Sequence, residues 1–266
     1  MCGRYASGRR PEDLVELFGV ERWDPTETIA PDWNVAPTKP VWAVMDRPPK
    51  DAPPEGAPPE GADRPVRQLH VLRWGLVPSW SKTPEAGVKM INARAETVHE
   101  KPAYRRAFAS RRCLLPADGY YEWHTPETAP DGPKGRARKQ PYYITPADGS
   151  VMAMAGLYEW WRDRSRPADD PGAWLCTCTV LTTDAEDALG RIHPRMPLLV
   201  EPGGYDAWLD PDRSDPDELR SLLVPPAAGR LAARPVSPAV NNVRNNGPQL
   251  TEPIPADQVL GDATLF

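Results

Sequence analysis

Short runs rich in aromatic and β-branched residues, each ended by Pro, Gly or Asp, are the feature that most restricts how this chain can fold. Such runs are "RRCLLPADGYYEW", "PYYITP", "VMAMAGLYEWW" and "WLCTCTVLTT". Their composition is typical of β-strands separated by turns. Of the 266 residues, 35 are Pro, and Pro lacks the N–H that a helix interior requires. Long helical arrays are therefore not expected.

Short helices are predicted around these strands. In "RRPEDLVELFGV", Leu14, Leu17 and Phe18 form an apolar face and Gly19 ends the helix. Similar patterns occur in "KPAYRRAFASR", "DAEDALGRI" and "DPDELRSLL". Because strands and helices do not alternate strictly, we expect a single α+β domain over residues 1–266. Its core would be a mainly antiparallel, barrel-like β-sheet flanked by short helices.

Three polar segments are predicted to be loops of this domain. Residues 46–65 are low-complexity sequence of Pro, Gly, Ala and acidic residues, which cannot offset the entropy of ordering. They lie between "VWAV" and "LHVLRW", which look like two strands. An expanded hairpin loop is therefore favoured over a linker between domains. Polar loops are also expected at residues 125–139 and 162–172.

Charge and hydropathy limit the classes of function. The net charge of −5 argues against a protein that is basic throughout, although it is compatible with a local positive groove. No apolar run approaches the length that spans a bilayer, and no signal sequence is recognisable. We therefore expect a cytoplasmic protein. A monomer is expected because acidic, Pro-rich loops form poor interfaces.

The four cysteines are too few and too unevenly spaced for a disulfide framework. Cys176 and Cys178 alternate along a β-branched strand, and no second ligand pair with zinc spacing follows them. Core packing is the better explanation for this pair, and Cys113 is most simply a buried strand residue. No metal or cofactor is expected.

Cys2 differs from these three because removal of Met1 would give it a free α-amine beside its thiol. An α-amine titrates at about 7.7–8.0, so a fraction is unprotonated at neutral pH and can attack an aldehyde. The thiol can then add to the imine and close a five-membered thiazolidine ring. The alternative is a cysteine that occurs here by chance in a frayed terminus.

Two further segments place polar side chains among apolar ones. "INARAET" alternates Asn92, Arg94 and Glu96 with small residues, as in a pocket-lining strand or, alternatively, a solvated strand face. In "GYYEWH", aromatic neighbours favour a raised pKa for Glu122, which suits proton transfer near neutrality. An outward-facing strand residue is the alternative for Glu122.

The segment "IHPRMP" displays His193 and Arg195 on a loop held between prolines, with a capping or core histidine as the alternative. Arginine also recurs beside the other candidates. Together with Trp74 and Trp80 in "RWGLVPSW", it forms a combination that single-stranded nucleic acid favours: guanidinium groups contact phosphates and indoles stack on bases. Packing of these tryptophans in a hydrophobic core is the alternative.

Several motifs follow one another in a specific order along nearly the whole chain: "MCGRY", "WNVAPT", "RWGLVPSW", "INARAET", "CLLPADGYYEW", "AGLYEWW", "LTTDA" and "IHPRMP". In this order they resemble the SOS response-associated peptidase family, the abasic-site shielding proteins. The resemblance implies that Cys2, after loss of Met1, forms a thiazolidine crosslink with the open-chain aldehyde of an abasic site in single-stranded DNA. It also implies possible contact with single-strand/duplex junctions, and association with the nucleoid when DNA is bound.

The same resemblance assigns roles to residues of this chain. Asn92 would position the Cys2 nucleophile, and Glu122 would shuttle protons during imine formation. His193 would assist opening of the sugar ring and later reversal of the crosslink. The residues that would hold phosphates or shape the DNA groove are Arg4, Asn34, Pro37, Trp74, Arg94 and Arg195.

Two rival functions remain at this point. The family name records a proposed peptidase activity, and Cys2 with Glu122 and His193 can be compared with an N-terminal-nucleophile cysteine peptidase that removes its own leading residue. No oxyanion-hole motif is recognisable, which argues against it. The second rival is a non-covalent single-stranded DNA binding module in which Cys2 is incidental.

Overall fold

The structure is a computed structural model that describes residues 2–48, 64–126, 137–167, 169–185 and 189–260. Most of the expected loop at 46–65 and of the expected loop at 125–139 lies outside the described residues. The two strands expected on either side of the first loop are present and pair with each other. The first strand continues into the expected loop as far as Arg47, and the second begins directly after it, at Val66.

Strands dominate the described parts of the chain. They are β1 (Tyr5–Ser7), β2 (Arg22–Trp23), β3 (Asp32–Val35), β4 (Pro40–Arg47), β5 (Val66–Trp74), β6 (Asn92–Arg94), β7 (Arg112–Ala117), β8 (Gly119–His124), β9 (Gln140–Pro146), β10 (Met152–Arg162), β11 (Trp174–Asp184), β12 (Arg195–Pro197) and β13 (Leu231–Pro235). The α-helices are α1 (Pro11–Phe18), α2 (Arg105–Ser110), α3 (Leu189–Ile192), α4 (Tyr205–Leu209) and α5 (Pro216–Ser221). None of these helices is long and apolar enough to cross a lipid bilayer.

Five strands close into a barrel in the order β11, β10, β7, β4, β5 and back to β11. The pairings between neighbours are antiparallel, except that β5 and β11 are parallel where Trp74 lies opposite Cys178. A second sheet has the order β13, β9, β8, β1, β3 and is antiparallel throughout. The expected α+β fold with a mainly antiparallel, barrel-like core is confirmed.

Alternation along the barrel strands divides the core into two faces. On β4, Val41, Ala43 and Met45 belong to the cluster that fills the barrel and contacts the second sheet, whereas Trp42 and Val44 belong to the cluster that packs against helices. The helices cover the outer face of the barrel, so a functional site has to lie at the inner face or at an end of the barrel.

Helix α1 shows how the outer face is covered. Leu14 and Phe18, one turn apart, are buried, and Gly19 ends the helix in the left-handed conformation with φ of 62°. Leu17, which was expected on the same apolar face, is 53% exposed. That part of the prediction is wrong because the buried stripe is only as wide as the contact with the barrel.

Candidate functional site

Cys2 is completely buried just before β1. It packs in the cluster that fills the barrel, which also contains Tyr5 and Trp74. Its Sγ lies 4.0 Å from the carbonyl oxygen of Arg4. Burial, followed by the negative charge of Glu122, raises the pKa of the Cys2 thiol. The thiol is therefore neutral near pH 7.

Asn92 holds the backbone of Cys2. Its Nδ2 donates a hydrogen bond of 2.7 Å to the Cys2 carbonyl oxygen. Asn92 is itself placed by the parallel pairing of β6 with β11, where it lies opposite Val180. Its Oδ1 is buried and has no hydrogen-bond partner within the described ranges. Since a buried acceptor without a donor is unfavourable, this atom is suited to receive a hydrogen bond from a bound group.

Trp74 supports this arrangement from within the core. Its side chain is fully buried, and its Nε1 donates to the carbonyl oxygen of Ile91 at 2.9 Å, one residue before Asn92. Its ring meets the ring of Tyr5 edge-on, with centroids 5.1 Å apart. The core-packing alternative is confirmed for Trp74, and its expected part in shaping a DNA groove stays a prediction. Trp80, from the same motif, is 66% exposed.

Glu122 reaches the same region from β8, the neighbour of β1 in the second sheet. Only 4% of the residue is exposed. Burial raises the pKa of the Glu122 carboxyl group above its ordinary value, and positive charge on His193 acts in the opposite direction. The raised pKa expected from the aromatic neighbours is confirmed. The alternative, an outward-facing strand residue, is excluded by the burial.

His193 lies between α3 and β12, on the loop predicted to display it. The backbone N–H of Arg195 is 3.0 Å from the His193 Nδ1. The same Nδ1 lies 3.1 Å from the Arg195 carbonyl oxygen, so the backbone of Arg195 holds the ring in place whichever ring nitrogen carries the proton. The loop is held beside β8 by His124, whose Nδ1 lies 2.9 Å from the carbonyl oxygen of Arg191. The fold therefore brings Cys2, Glu122 and His193 into one electrostatic cluster.

Asn34 connects the N-terminal strands to a C-terminal loop. It is completely buried, and its Nδ2 lies 3.3, 3.1 and 2.9 Å from the carbonyl oxygens of Val240, Asn242 and Asn245. Its Oδ1 accepts a hydrogen bond of 2.6 Å from Nη1 of Arg4. The polar atoms of the Asn34 side chain therefore bond groups inside the protein, and its expected part in shaping a DNA groove stays a prediction.

Arg4 is half-buried, and its guanidinium lies over the ring of Trp123 at 5.8 Å from the ring centre. Burial lowers the pKa of Arg4. Trp123 follows Glu122 and donates from Nε1 to Asn241 Oδ1 at 2.6 Å. Sequence reasoning missed the contribution of this C-terminal loop. The signal available was the polar run "NNVRNNGP", which is unusual for a segment that packs against a core.

The other residues expected to contact DNA differ in accessibility. Arg94 is exposed at the end of β6, two residues after Asn92, and Pro37 is half-buried. Arg195 is bound internally: its guanidinium contacts Glu96 at 2.8 Å and also contacts Asp184. Two carboxylates therefore already contact the guanidinium of Arg195, and its expected phosphate contact stays a prediction.

The remaining cysteines lie in the barrel. Cys113 and Cys178 are buried in the inner cluster, and Cys176 is half-buried against it, which agrees with the core packing expected for all three. The four cysteines are free thiols. Across the described ranges, His, Cys, Asp and Glu side chains form no group of three or more that is able to hold a metal ion.

Comparison with known proteins supplies independent information. The sequence profile of the family described as SOS response associated peptidase (SRAP) matches residues 1–243. The chain is 37% identical over 254 residues to the abasic site processing protein YoqW of Bacillus subtilis, covering 95% of this chain and 99% of that protein. It is 30% identical over 300 residues to the abasic site processing protein HMCES of Xenopus tropicalis, covering 99% and 81% of the two chains.

The fold also matches a solved structure. The crystal structure of a protein from Bacteroides thetaiotaomicron superimposes with a TM-score of 0.73 at 24% sequence identity, covering 95% of this chain and all of the other. That likeness concerns the fold alone. The profile match, which spans most of the chain, and the identity to the two relatives show that the chain belongs to the SOS response associated peptidase (SRAP) family.

Proposed function

We propose that this protein processes abasic sites in single-stranded DNA by forming a covalent thiazolidine crosslink through Cys2. The observation that carries the proposal is the arrangement around Cys2: Asn92 bonds its backbone, Glu122 acts electrostatically on its thiol, and His193 acts in the same way on Glu122. The names of relatives at 30–37% identity, abasic site processing proteins, support the same substrate.

The neutral thiol of Cys2 indicates the order of the chemical steps. Once Met1 is removed, the α-amine is the stronger nucleophile of the two groups, because burial keeps the sulfur protonated. The amine adds to C1′ of the open-chain sugar, and loss of water gives an imine. The sulfur then adds to the imine carbon while its proton passes to the imine nitrogen. The net change is one molecule of water lost per crosslink.

Each neighbour of Cys2 has a task in these steps. Glu122, whose pKa is raised by burial, donates a proton to the departing hydroxyl and later accepts one from the thiol. His193, held by the backbone of Arg195, assists opening of the sugar hemiacetal. Asn92 fixes the Cys2 backbone, so the amine is presented in one orientation.

The DNA strand is proposed to lie along the exposed groups next to Asn92. Arg94 offers a cation at the end of β6, two residues after Asn92. Pro37, which is half-buried just after β3, is proposed to shape the groove. Arg4 is proposed to contribute a partly buried positive charge behind the sugar.

The direct test is a denaturing gel of the protein with an oligonucleotide that contains one abasic site. Mass spectrometry first establishes that Met1 is absent. Wild type is expected to give a heat- and detergent-resistant shifted band, whose mass equals protein plus DNA minus one water. Cys2→Ala is the matched control and should give no band, because an imine without the thiol remains hydrolysable.

The same experiment separates the rival functions. A non-covalent binding module predicts no stable band and unchanged binding by Cys2→Ala in a native gel. An autoproteolytic peptidase predicts that Met1 persists until the protein cleaves itself, so Glu122→Gln would retain Met1 in the mass spectrum. No band from wild type with Met1 confirmed absent contradicts the crosslinking proposal.

A further inference from the structure

The barrel has a second mouth, at the end opposite Cys2. A cavity of about 750 Å³ opens there, with Met45, Leu72 and Cys176 among its lining residues. These three belong to, or pack against, the same inner cluster that contains Cys2 and Trp74. His70 also lines the cavity and precedes Trp74 by four residues on β5, a distance of roughly 13 Å along a strand. The cavity is therefore separate from the site at Cys2.

Arg47 contributes a positive charge to this cavity, whose wall also carries Arg22 and the carboxylates Glu21, Asp24 and Glu27. It is half-buried at the end of β4, and its guanidinium lies over the ring of Trp160 at 5.3 Å from the ring centre. Throughout the described part of the chain, no carboxylate forms an ion pair with Arg47. Stacking on the indole holds the guanidinium in place, and the cation remains available to an anion.

The carboxylates on the cavity wall already accept hydrogen bonds from other residues. Glu27 bonds the Nδ1 of His70 at 3.0 Å and accepts the N–H of Val71 at 2.8 Å. Asp24 accepts the backbone N–H and the hydroxyl of Thr26, at 2.9 and 2.7 Å. Glu21 accepts the N–H of Arg67 at 3.3 Å. These bonds fix the orientation of the acidic groups, whereas no hydrogen bond or ion pair within the described ranges engages the guanidinium of Arg47.

The polar groups in the middle of the wall are held in fixed orientations. Gln68 is buried, donates from Nε2 to the Arg47 carbonyl oxygen at 2.8 Å and places its Oε1 3.0 Å from the Nε2 of His70. Trp23 lines the same cavity, half-buried, with its Nε1 bonded to the Glu27 carbonyl oxygen at 3.3 Å. An apolar floor, two indoles and a few fixed polar groups are the usual composition of a small-molecule site, including sites in barrel mouths.

We propose that this second mouth binds a planar aromatic anion of mononucleotide size, with its ring against the indole of Trp23 and its anionic group at Arg47. The interaction is non-covalent and goes beyond the proposed reaction at Cys2. The ring supplies stacking energy, and the guanidinium supplies the charge-assisted hydrogen bonds that orient the ligand.

The test is isothermal titration calorimetry on the full chain carrying Cys2→Ala, so that no ligand can react at the first site. The probes are 2′-deoxyadenosine 5′-monophosphate, 2′-deoxyadenosine, which lacks the anion, and inorganic phosphate, which lacks the ring. Only the nucleotide is expected to saturate, with a Kd below about 1 mM. Equal binding of inorganic phosphate, or no saturable binding of the nucleotide, overturns the proposal.

Two variants test whether the nucleotide binds in this cavity. Arg47→Gln is expected to weaken nucleotide binding about tenfold or more, whereas Arg220→Gln, at an exposed ion pair on α5, should leave it unchanged. An independent readout is the indole N–H signal of Trp23 in a two-dimensional NMR spectrum, which should shift as nucleotide is added. Binding that is insensitive to Arg47→Gln overturns the assignment.

The two possible sources of the ligand can also be separated. If the ligand is the end of a DNA strand, Arg47→Gln weakens binding of a 5′-phosphorylated oligonucleotide relative to the unphosphorylated one. If it is a free nucleotide, the two oligonucleotides are affected equally. Crosslinking by a protein with Arg47→Gln but intact Cys2 should proceed as in wild type, so failure of this proposal is distinguishable from failure of the proposed function.

Discussion

Glu122 is the residue whose environment most directly sets the chemistry. It is 4% exposed, next to a buried thiol and within electrostatic range of His193. Replacing it by Gln preserves shape and removes proton transfer, so Glu122→Gln should slow crosslink formation by about 10²-fold or more. The rate is measured by quenching time points on a denaturing gel. Glu252→Gln, at an exposed position, is the control, and an equal rate for both variants would contradict the proton-transfer role.

The same carboxyl group predicts how stability depends on pH. Burial raises the pKa of Glu122 above its ordinary value of 4.5. Below that value both the folded and unfolded states hold the proton. Between 4.5 and the raised folded value the unfolded state loses this proton while the native state keeps it, so the free energy of unfolding falls until the pH has passed the folded value. Urea unfolding from pH 4 to 8 should therefore show a steeper decline for wild type than for Glu122→Gln. Parallel curves would count against the raised pKa.

At the scale of elements, the segment between β5 and β6 is closed by two facing glycines. Gly75 has φ of 123°, and a Cβ at Gly87 would collide with the carbonyl oxygen of Gly75. The close approach fixes the start of β6 and hence Asn92. Gly87→Ala should lower the free energy of unfolding by about 1–3 kcal/mol and slow crosslinking.

The control for this prediction is Gly203→Ala. A Cβ at Gly203 would meet no atom within 4 Å, and no positive φ constrains that residue. Its effect on the free energy of unfolding should remain within about 0.5 kcal/mol. Urea titrations of both variants give the comparison, and similar values for the two would mean that the glycine contact does not position β6.

The C-terminal loop is a second element that depends on one side chain. Asn34→Asp keeps the oxygen that accepts from Arg4 but turns the donor toward Val240, Asn242 and Asn245 into an acceptor that faces their carbonyl oxygens. We expect a loss of roughly 2–4 kcal/mol in unfolding free energy and faster hydrogen exchange in this loop. Unchanged exchange in the loop would show that other contacts hold it.

For the whole molecule, the acidic net charge of −5 and the local cations predict two different responses to salt. Non-covalent binding of single-stranded DNA by Cys2→Ala should weaken as salt rises, because phosphate contacts release counterions. Arg94→Gln should reduce the slope of log K against log salt by about one, whereas a crosslink already formed should resist salt. Fluorescence anisotropy measures the slopes, with Arg220→Gln as control. A slope unaffected by Arg94→Gln removes that residue from the interface.

The fold class was predictable from local sequence because strand composition, Pro and Gly punctuation and short amphipathic helices act over a few residues. Helix α1 and the β4–β5 pair appeared where expected. The candidates Cys2, Glu122 and His193 were likewise visible as unusual residues in their local settings. The closure of the barrel could not be predicted from local sequence, because the pairing of β5 with β11 joins segments about a hundred residues apart.

Sequence by itself determined which chemical groups this protein has: a cysteine next to Met1, an acid among aromatics and a histidine between prolines. Tertiary structure alone decided which of them face one another. Trp74 and Asn34 were expected at a DNA groove from their local motifs, yet both side chains are buried against segments distant in sequence. Accessibility and pKa depend on which segments exclude water, and that is a property of long-range packing which no local pattern contains.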